Sequence, residues 1–397
     1  MLRGSLKNLR VVDFSQIGAG PTCTMLLGDL GADVIKVEAP EGDLGRQLGP
    51  PWVNDTSAVF VAFNRNKRSI VLDLKTEKGL EIALQLVASA DVLVESFRPG
   101  VLGRLGLGYD ACRALRPDIV YCSISAYGST GPGARRGGVD GILQAASGLM
   151  TLLGEEGQAP CKVQTPIVDI TTGHLAAFAV VAQLLQRERT GKGGFIDASM
   201  LAAAVSLQQA SITGFLSDGQ QPARIGSAAP YSAPNEAFPA EDGWIMIAAY
   251  QDQRWERLCL MLDREDLLSD PRFASSGNRV LNREAMRTEL GATFLKRNCS
   301  YWLRELDIAD IPCAKVATYN DLIDEELFTE LDMIVAANNA HGQTLRFPGL
   351  PLNCAENRAM PHRPPPAQGE HSEAILKELG YGAVEASAIA AAHCRPK

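Results

Sequence analysis

The feature that most narrows what this chain can fold into is its opening. Leu9 to Phe14 is a short apolar run that reads as a buried strand, Gly18-Ala-Gly20-Pro21 breaks it, and a helical stretch from Thr22 to Leu30 follows. Gly31 ends that helix and Asp33 to Glu38 reads as the next strand, so the chain begins with a βαβ unit. The alternation continues. Strands are expected over Ser69 to Leu74, Asp91 to Glu95, Asp118 to Ser125 and Phe195 to Ala198, with a helix over Glu77 to Ser89. Strands alternating with helices imply an open, mostly parallel α/β sheet over the first 200 residues or so, with ligands at the strands' carboxyl ends.

The first loop, Gly18-x-Gly20-x-x-Cys23 with acidic Glu38 further on, imitates a dinucleotide fingerprint. Cys23 replaces the third glycine and Pro21 opens the helix, so an NAD-binding oxidoreductase stays as the minority alternative. The loop still offers backbone N–H groups at a helix N-terminus, suited to a phosphate or a carbonyl oxygen. Asn64-Arg-Asn-Lys-Arg68, Lys75, Arg98, Arg104, Arg135 and Arg136 are read as lying at or near strand carboxyl ends. Each alone suits a solvated surface. Together, in a chain of formal net charge −8, they suggest a polyphosphate or multi-carboxylate ligand, while the acidic balance argues against nucleic acid. Gly191-Lys192 lacks the glycine a triphosphate loop needs at position 186, where Gln stands, so it reads as a turn.

With 46% hydrophobic and 21% charged residues the chain reads as globular, and no uninterrupted apolar run reaches membrane-spanning length. A cytoplasmic protein without a membrane partner is expected. The nine cysteines (23, 112, 122, 161, 259, 299, 313, 354 and 394) form no Cys-x-x-Cys pair, and the five histidines (174, 341, 362, 371 and 393) show no metal spacing; reduced thiols and no metal are expected. A small-residue helix is expected over Met200 to Phe215. Gly219 to Pro234 reads as a linker before a smaller α+β unit, with a strand at Trp244 to Ala249, a helix over Gln253 to Leu262 and Ile311 to Val316. A Pro-rich segment, Pro361 to Pro366, and a helix from His371 to Leu379 close the chain.

One carboxylate stands out. In Gln164-Thr-Pro-Ile-Val-Asp-Ile-Thr-Thr-Gly-His174, Asp169 follows a β-branched pair read as strand, Ile167-Val168, and precedes an apolar helix, Leu175 to Leu185. A helix cap explains this locally; a carboxylate aimed from a helix N-terminus explains it functionally. A second acid, Asp140 after Gly137-Gly138-Val139, has the same two readings, cap or auxiliary group that orients a substrate or shuttles a proton.

Taken in order, these motifs resemble the class III CoA-transferase family, which includes formyl-CoA transferases, carnitine CoA-transferases and 2-methylacyl-CoA racemases. The resemblance is carried by Val12-Asp-Phe14 with Ala19-Gly-Pro21, Gly31-Ala-Asp-Val-Ile-Lys-Val-Glu38, Asn66-Lys-Arg-Ser69, Glu95-Ser-Phe-Arg-Pro-Gly100 and Asp169. Further along it rests on Thr190-Gly-Lys-Gly193, Asp242-Gly-Trp244, Asp270-Pro-Arg-Phe273, Ile311-Pro-Cys313 and Gly369-Glu-His371 with Glu378-Leu-Gly-Tyr381. It implies a large doubly wound α/β domain built from both chain ends (1–218 and 331–397), a small α+β domain with its linker between them (219–330), and an interlocked homodimer. Asp169 falls at the family's nucleophile. Coenzyme A, as substrate and product, would contact Gly18, Ala19, Leu72, Lys75, Ser96, Phe97, Arg98 and Arg104, the last arginines and Lys75 meeting its phosphates. Gly18 and Ala39 stand where formyl-CoA transferases have Gln and Arg, and Gly226-Ser-Ala-Ala-Pro-Tyr231 replaces their glycine-rich loop, which argues against oxalate and formyl-CoA as substrates.

The resemblance implies transfer of CoA from an acyl-CoA donor, with succinyl-CoA a candidate, to a free carboxylic or dicarboxylic acid. A carboxylate nucleophile keeps the thioester's energy by passing through an aspartyl anhydride and an aspartyl-CoA thioester, without metal or nucleoside triphosphate. A 2-methylacyl-CoA racemase is the alternative within the family. It would need an acid/base pair for the α-proton, and where the family's racemases place His this chain has Val139. A non-catalytic CoA- or NAD-binding module is the remaining reading.

Overall fold

In a computed structural model the described residues are 4–53, 56–324, 326, 331, 333–339, 342–350, 352 and 362–393. Residue 330, at the expected domain boundary, and His341, Cys354, Pro361 and Cys394 lie outside them. The chain divides into two compact units, one of Met1–Met150, Lys162–Gln220 and Thr329–Lys397, the other of Thr151–Cys161 and Gln221–Phe328.

The first unit runs β1 (Arg10–Asp13), α1 (Ala19–Asp29), β2 (Asp33–Glu38), the short pair β3 (Trp52–Val53) and β4 (Thr56–Ser57), α2 (Ala58–Phe63), β5 (Lys67–Val71), α3 (Glu77–Ala88) and β6 (Val92–Glu95). Then come α4 (Val101–Arg104), α5 (Tyr109–Leu115), β7 (Val120–Ser125), α6 (Asp140–Ala146), α7 (Ile167–Thr190), β8 (Gly194–Ser199), α8 (Met200–Ser206) and α9 (Gln209–Asp218). Six strands form one sheet in the order β5-β2-β1-β6-β7-β8, every pair parallel. The chain builds outward from β1 to β2 and β5, then returns to the other side of β1 with β6. The crevice at the carboxyl ends of β1 and β6 is therefore the switch point where open α/β sheets bind ligands.

Both faces of this sheet are covered, so its strands are apolar on both sides. Successive residues alternate between two cores: Val11, Val34 and Val94 pack with Cys23 and Leu27 of α1 and Val168, Ala176 and Val180 of α7, while Val12, Ile35 and Leu93 pack with Ile82 and Leu86 of α3. Ile375, Leu376 and Ala386, from helices Ser372–Glu378 and Ala383–His393, belong to that second core, so the chain's end completes the unit begun by its start. An antiparallel hairpin, Ile334–Asn338 with Thr344–Pro348, also belongs to it.

The second unit holds the antiparallel sheet of Asn235–Ala240, Gly243–Ala248 and Cys313–Lys315, with Phe238, Trp255, Phe273, Phe294 and Trp302 in its core. The segment Thr151–Cys161 joins this unit, where Glu155 bridges to Ile225.

Four expectations need correction. Ile167-Val168 is the first turn of α7 and not a strand, because its N–H groups turn to a carboxylate instead of a sheet neighbour. Asn64 to Arg68 lies at the amino end of β5, and its cations are committed: Arg65 to Asp29, Lys67 to Asp13, Arg68 to Asp33 and Glu378. The helix expected over Met200 to Phe215 is two, parted where the buried Gln208 amide donates to the Ser147 and Ala204 carbonyls. Finally, α7 is long and apolar enough to cross a membrane by length and composition alone, although Val168, Val180 and Leu184 on one side pack into the core.

Candidate active site

The carboxyl ends of β1, β6, β7 and β8 open on one cavity of about 510 Å³. Gln16 to Ala19 follow β1, Ser96 to Pro99 follow β6, Ser125 to Tyr127 follow β7 and Met200 follows β8; Ala134, Arg136 to Val139, Ile142 and Asp169 complete the wall.

Asp169 reaches this wall through a chain of local causes. Pro166 precedes α7 without any side-chain cap, which leaves the helix's first N–H groups unpaired. Asp140, the first residue of α6, supplies the missing acceptor: its Oδ2 takes hydrogen bonds from the N–H groups of Val168 (2.8 Å) and Asp169 (3.3 Å). Gln144, one turn along α6, donates to Asp140 Oδ1 at 2.6 Å and holds Val163 at both its N–H and its carbonyl. Asp140 therefore caps α7, not its own helix, and both of its oxygens are occupied.

Gly173, one turn beyond Asp169, lets α7 press on α1. A Cβ there would stand 2.5 Å from Thr22 Cβ and 2.7 Å from the Ala19 carbonyl oxygen. The crossing carries the Asp169 carboxyl onto Gly18, where an added Cβ would press on the Asp169 side chain and make it shift. Gly18 is also the N-terminal boundary of α1, without a side-chain cap, and Pro21 has no N–H to offer. The N–H groups of the first turn of α1 are thus left for a ligand in the cavity.

Among the described residues no side chain donates a hydrogen bond to the Asp169 carboxyl or sets a cation against it. Burial, and secondarily the charge of Asp140, push it up to about 7. This is a carboxylate more basic than usual, whose titration is moved toward neutral pH.

Of the residues expected to meet CoA, Gly18, Ala19, Ser96, Phe97 and Arg98 line the cavity with Asp169. The other three do not. Leu72 is core, Lys75 is exposed with its N–H bonded to Asp73, and Arg104 lies beside Gly100. Arg98 is exposed and lies against Gly137, whereas Arg136, noted above only as one of many cations, stacks on Tyr127 at 4.8 Å. Gln16, Ile17, Tyr127, Ile142 and Met200 escaped the sequence reading; Tyr127 and Met200 had a usable signal, since they follow the carboxyl ends of expected strands.

The acidic residue of the dinucleotide reading is consumed elsewhere. Glu38 is buried and accepts from Arg46 twice at 2.7 Å, from Ser69 at 2.6 Å and from the Asp43 N–H at 3.0 Å, so it has nothing left for a ribose. Val139 presents an aliphatic side chain to the cavity, and among the described lining residues there is no histidine. No group of three His, Cys, Asp or Glu among the described residues is placed to hold a metal ion, and the seven cysteines described are free thiols.

Residues 6–372 match CoA-transferase family III. The chain is 37% identical over 384 residues to the succinyl-CoA:glutarate CoA-transferase of Mus musculus, covering 96% of this chain and 88% of that protein. It is also 37% identical over 389 residues to the succinyl-CoA:mesaconate CoA-transferase of Haloarcula hispanica, covering 96% and 97%. The crystal structure of a CaiB/BaiF family protein from Brucella suis superposes with a TM-score of 0.85 at 36% identity, covering 94% of this chain and 99% of that one. With the family matched along nearly its whole length, the chain belongs to CoA-transferase family III.

Proposed function

We propose that this enzyme moves CoA from succinyl-CoA to a free dicarboxylic acid, with Asp169 as nucleophile. The observation that carries the reading is the Asp169 carboxyl itself: unpaired among the described residues, raised to about 7, and set against Gly18 beside the uncapped start of α1. A family match across the chain, and relatives whose names pair succinyl-CoA with glutarate or mesaconate, support it.

The Asp169 carboxylate attacks the acyl carbonyl of succinyl-CoA, the C–S bond breaks, and CoA thiolate leaves an aspartyl-succinyl anhydride. The thiolate then attacks Asp169 Cγ, releasing succinate and forming an aspartyl-CoA thioester. The acceptor carboxylate attacks that thioester and expels the thiolate, which takes the acceptor's acyl carbon from the second anhydride. Product and free Asp169 result. Each step passes through an oxyanion, for which the N–H groups of Ala19 and Gly20 at the start of α1 are the donors, the Gly18 N–H being taken by the Gln16 carbonyl. Arg98 and Arg136, within the cavity, suit the anionic parts of CoA or acid.

A homodimer, interlocked as in the family resemblance, is part of the proposal. Leu175, Phe178 and Leu185 form an exposed apolar stripe along α7, with Phe178 74% exposed, and a second copy would cover it. Light scattering should return twice the chain mass.

Succinyl-CoA incubated with glutarate or mesaconate should give the new CoA thioester by mass spectrometry. Succinyl-CoA alone, followed by hydroxylamine, should leave a hydroxamate at Asp169 and nowhere else. An Asp169→Asn protein that still transfers CoA at the wild-type rate would remove the nucleophile from the proposal.

A further inference from the structure

The loop that brings Gly18 to Asp169 contains a residue in a conformation its side chain resists. Ile17 has φ +70°, a left-handed backbone that a β-branched residue adopts only when its surroundings impose it. What imposes it lies behind the cavity wall. Asp43 Oδ1 accepts a hydrogen bond from the Ile17 N–H at 3.1 Å and another from the Gly45 N–H at 2.6 Å. Asp43 is itself held by the Lys36 ammonium at 2.6 Å, and its own N–H donates to Glu38 at 3.0 Å. Lys36 then reaches the same loop from the other side, donating to the Ser15 carbonyl at 2.9 Å. Both side chains are buried, at 0% and 1% exposure, and neither lines the cavity.

We infer that the Lys36–Asp43 pair is the positioning device of this active site, clamping Ile17 in its left-handed turn so that Gly18 and the first N–H groups of α1 stand fixed beside Asp169. Folding alone does not ask for this arrangement. A strand-to-helix loop with a relaxed residue 17 would join β1 to α1 at lower conformational cost. Strain held by a charged pair outside the site supplies donors whose positions do not depend on substrate, which is what an oxyanion site requires. The inference rests on the CoA-transfer reading above.

Wild-type protein is first assayed for exchange between succinyl-CoA and glutarate or mesaconate; no exchange sinks the proposed function, and the clamp is then judged by hydrogen exchange. In peptides spanning Ser15 to Ala19, Asp43→Ala is expected to speed amide exchange about tenfold or more, and unchanged exchange overturns the clamp. With an active wild type, Asp43→Ala should lower kcat about tenfold while the KM for succinyl-CoA stays within about twofold. Adding Ile17→Gly to Asp43→Ala should recover about a third or more of the lost kcat, because glycine holds a positive φ unaided yet does nothing to re-pair Lys36. Wild-type kcat in Asp43→Ala, or no recovery in the double variant, overturns the assignment. Should Asp43→Ala fail to fold, Asp43→Asn keeps an oxygen for the Ile17 N–H but breaks the charge pair with Lys36: kcat lowered about threefold or more supports the clamp, and kcat closer to wild type than that overturns it.

Discussion

Two aspartates within the first unit, Asp13 buried and Asp169 half-buried, have opposite fates. Asp13, at the end of β1, is fully buried, and burial alone would push its carboxyl up; the Lys67 and Lys36 ammonium groups and the Ser15 and Thr24 hydroxyls outweigh this and hold it below the usual carboxylate range. Asp169, at the start of α7, is less enclosed but lacks such partners, faces a second acid, and is raised to about 7. Burial pushes both in the same direction, so the partners decide which carboxylate is inert and which is basic. Asp13 is bound into the fold. Asp169 is left with reactivity to use.

The contrast breaks most visibly in activity. Asp169→Asn should lower CoA transfer by roughly a thousandfold or more through loss of the proposed nucleophile, with circular dichroism unchanged. Asp13→Ala should act on stability instead, costing about 3–5 kcal/mol in denaturant unfolding because it leaves Lys67 buried without its carboxylate partner. Lys67 is already pushed down to about 8 by burial, and it would fall further.

The pH dependence sharpens the comparison. Since the folded-state value of Asp169 is raised, the folded protein binds that proton more tightly than the unfolded chain does. Its contribution to stability is full below the ordinary carboxylate value near 4 and is lost as pH rises through about 7. Asp169→Asn should therefore be more stable than wild type at pH 8 by about 1–3 kcal/mol, and equal to it near pH 4. Asp13 has the opposite sign: its contribution is present above the ordinary carboxylate value and lost as pH falls through its lower folded-state value.

A smaller effect is expected at Asp140. Asp140→Asn keeps an oxygen for the Val168 N–H but removes the charge facing Asp169. The rise of kcat/KM with pH, which follows Asp169 in the free enzyme, should move to lower pH by about one unit or less, because burial is the larger cause of the shift. An unmoved profile would leave Asp140 as a cap and nothing more. The smallest change belongs to the exposed cations: Arg98→Ala or Arg136→Ala should raise the KM for succinyl-CoA by about two- to fivefold, with unfolding unaffected.

Much of the sheet was legible because its signals are local. β2 is read residue for residue as Asp33 to Glu38, and α1 and α3 within a few residues, since strand and helix periods and the glycine stops act over a few positions. The alternation also pointed to the carboxyl ends of the strands, where the cavity lined by Gly18, Ser96 and Arg98 opens. The cations of Asn64 to Arg68 were misplaced for the same reason: sequence shows that Lys67 is charged, but not that Asp13, 54 residues away, claims it.

What the sequence determined by itself, then, is the parallel α/β framework, the presence of a reactive-looking acid at Asp169, and a family resemblance spread along the chain. Which acid would be basic and which inert was left to the tertiary structure. Asp140 lies 28 residues from the Val168 N–H it caps, and Lys36 lies 21 from the Ser15 carbonyl it holds. Asp43 lies 26 residues from the Ile17 N–H it takes. A pKa depends on burial and on neighbours within a few ångströms, and those neighbours are chosen by how strands and helices pack, not by their order along the chain.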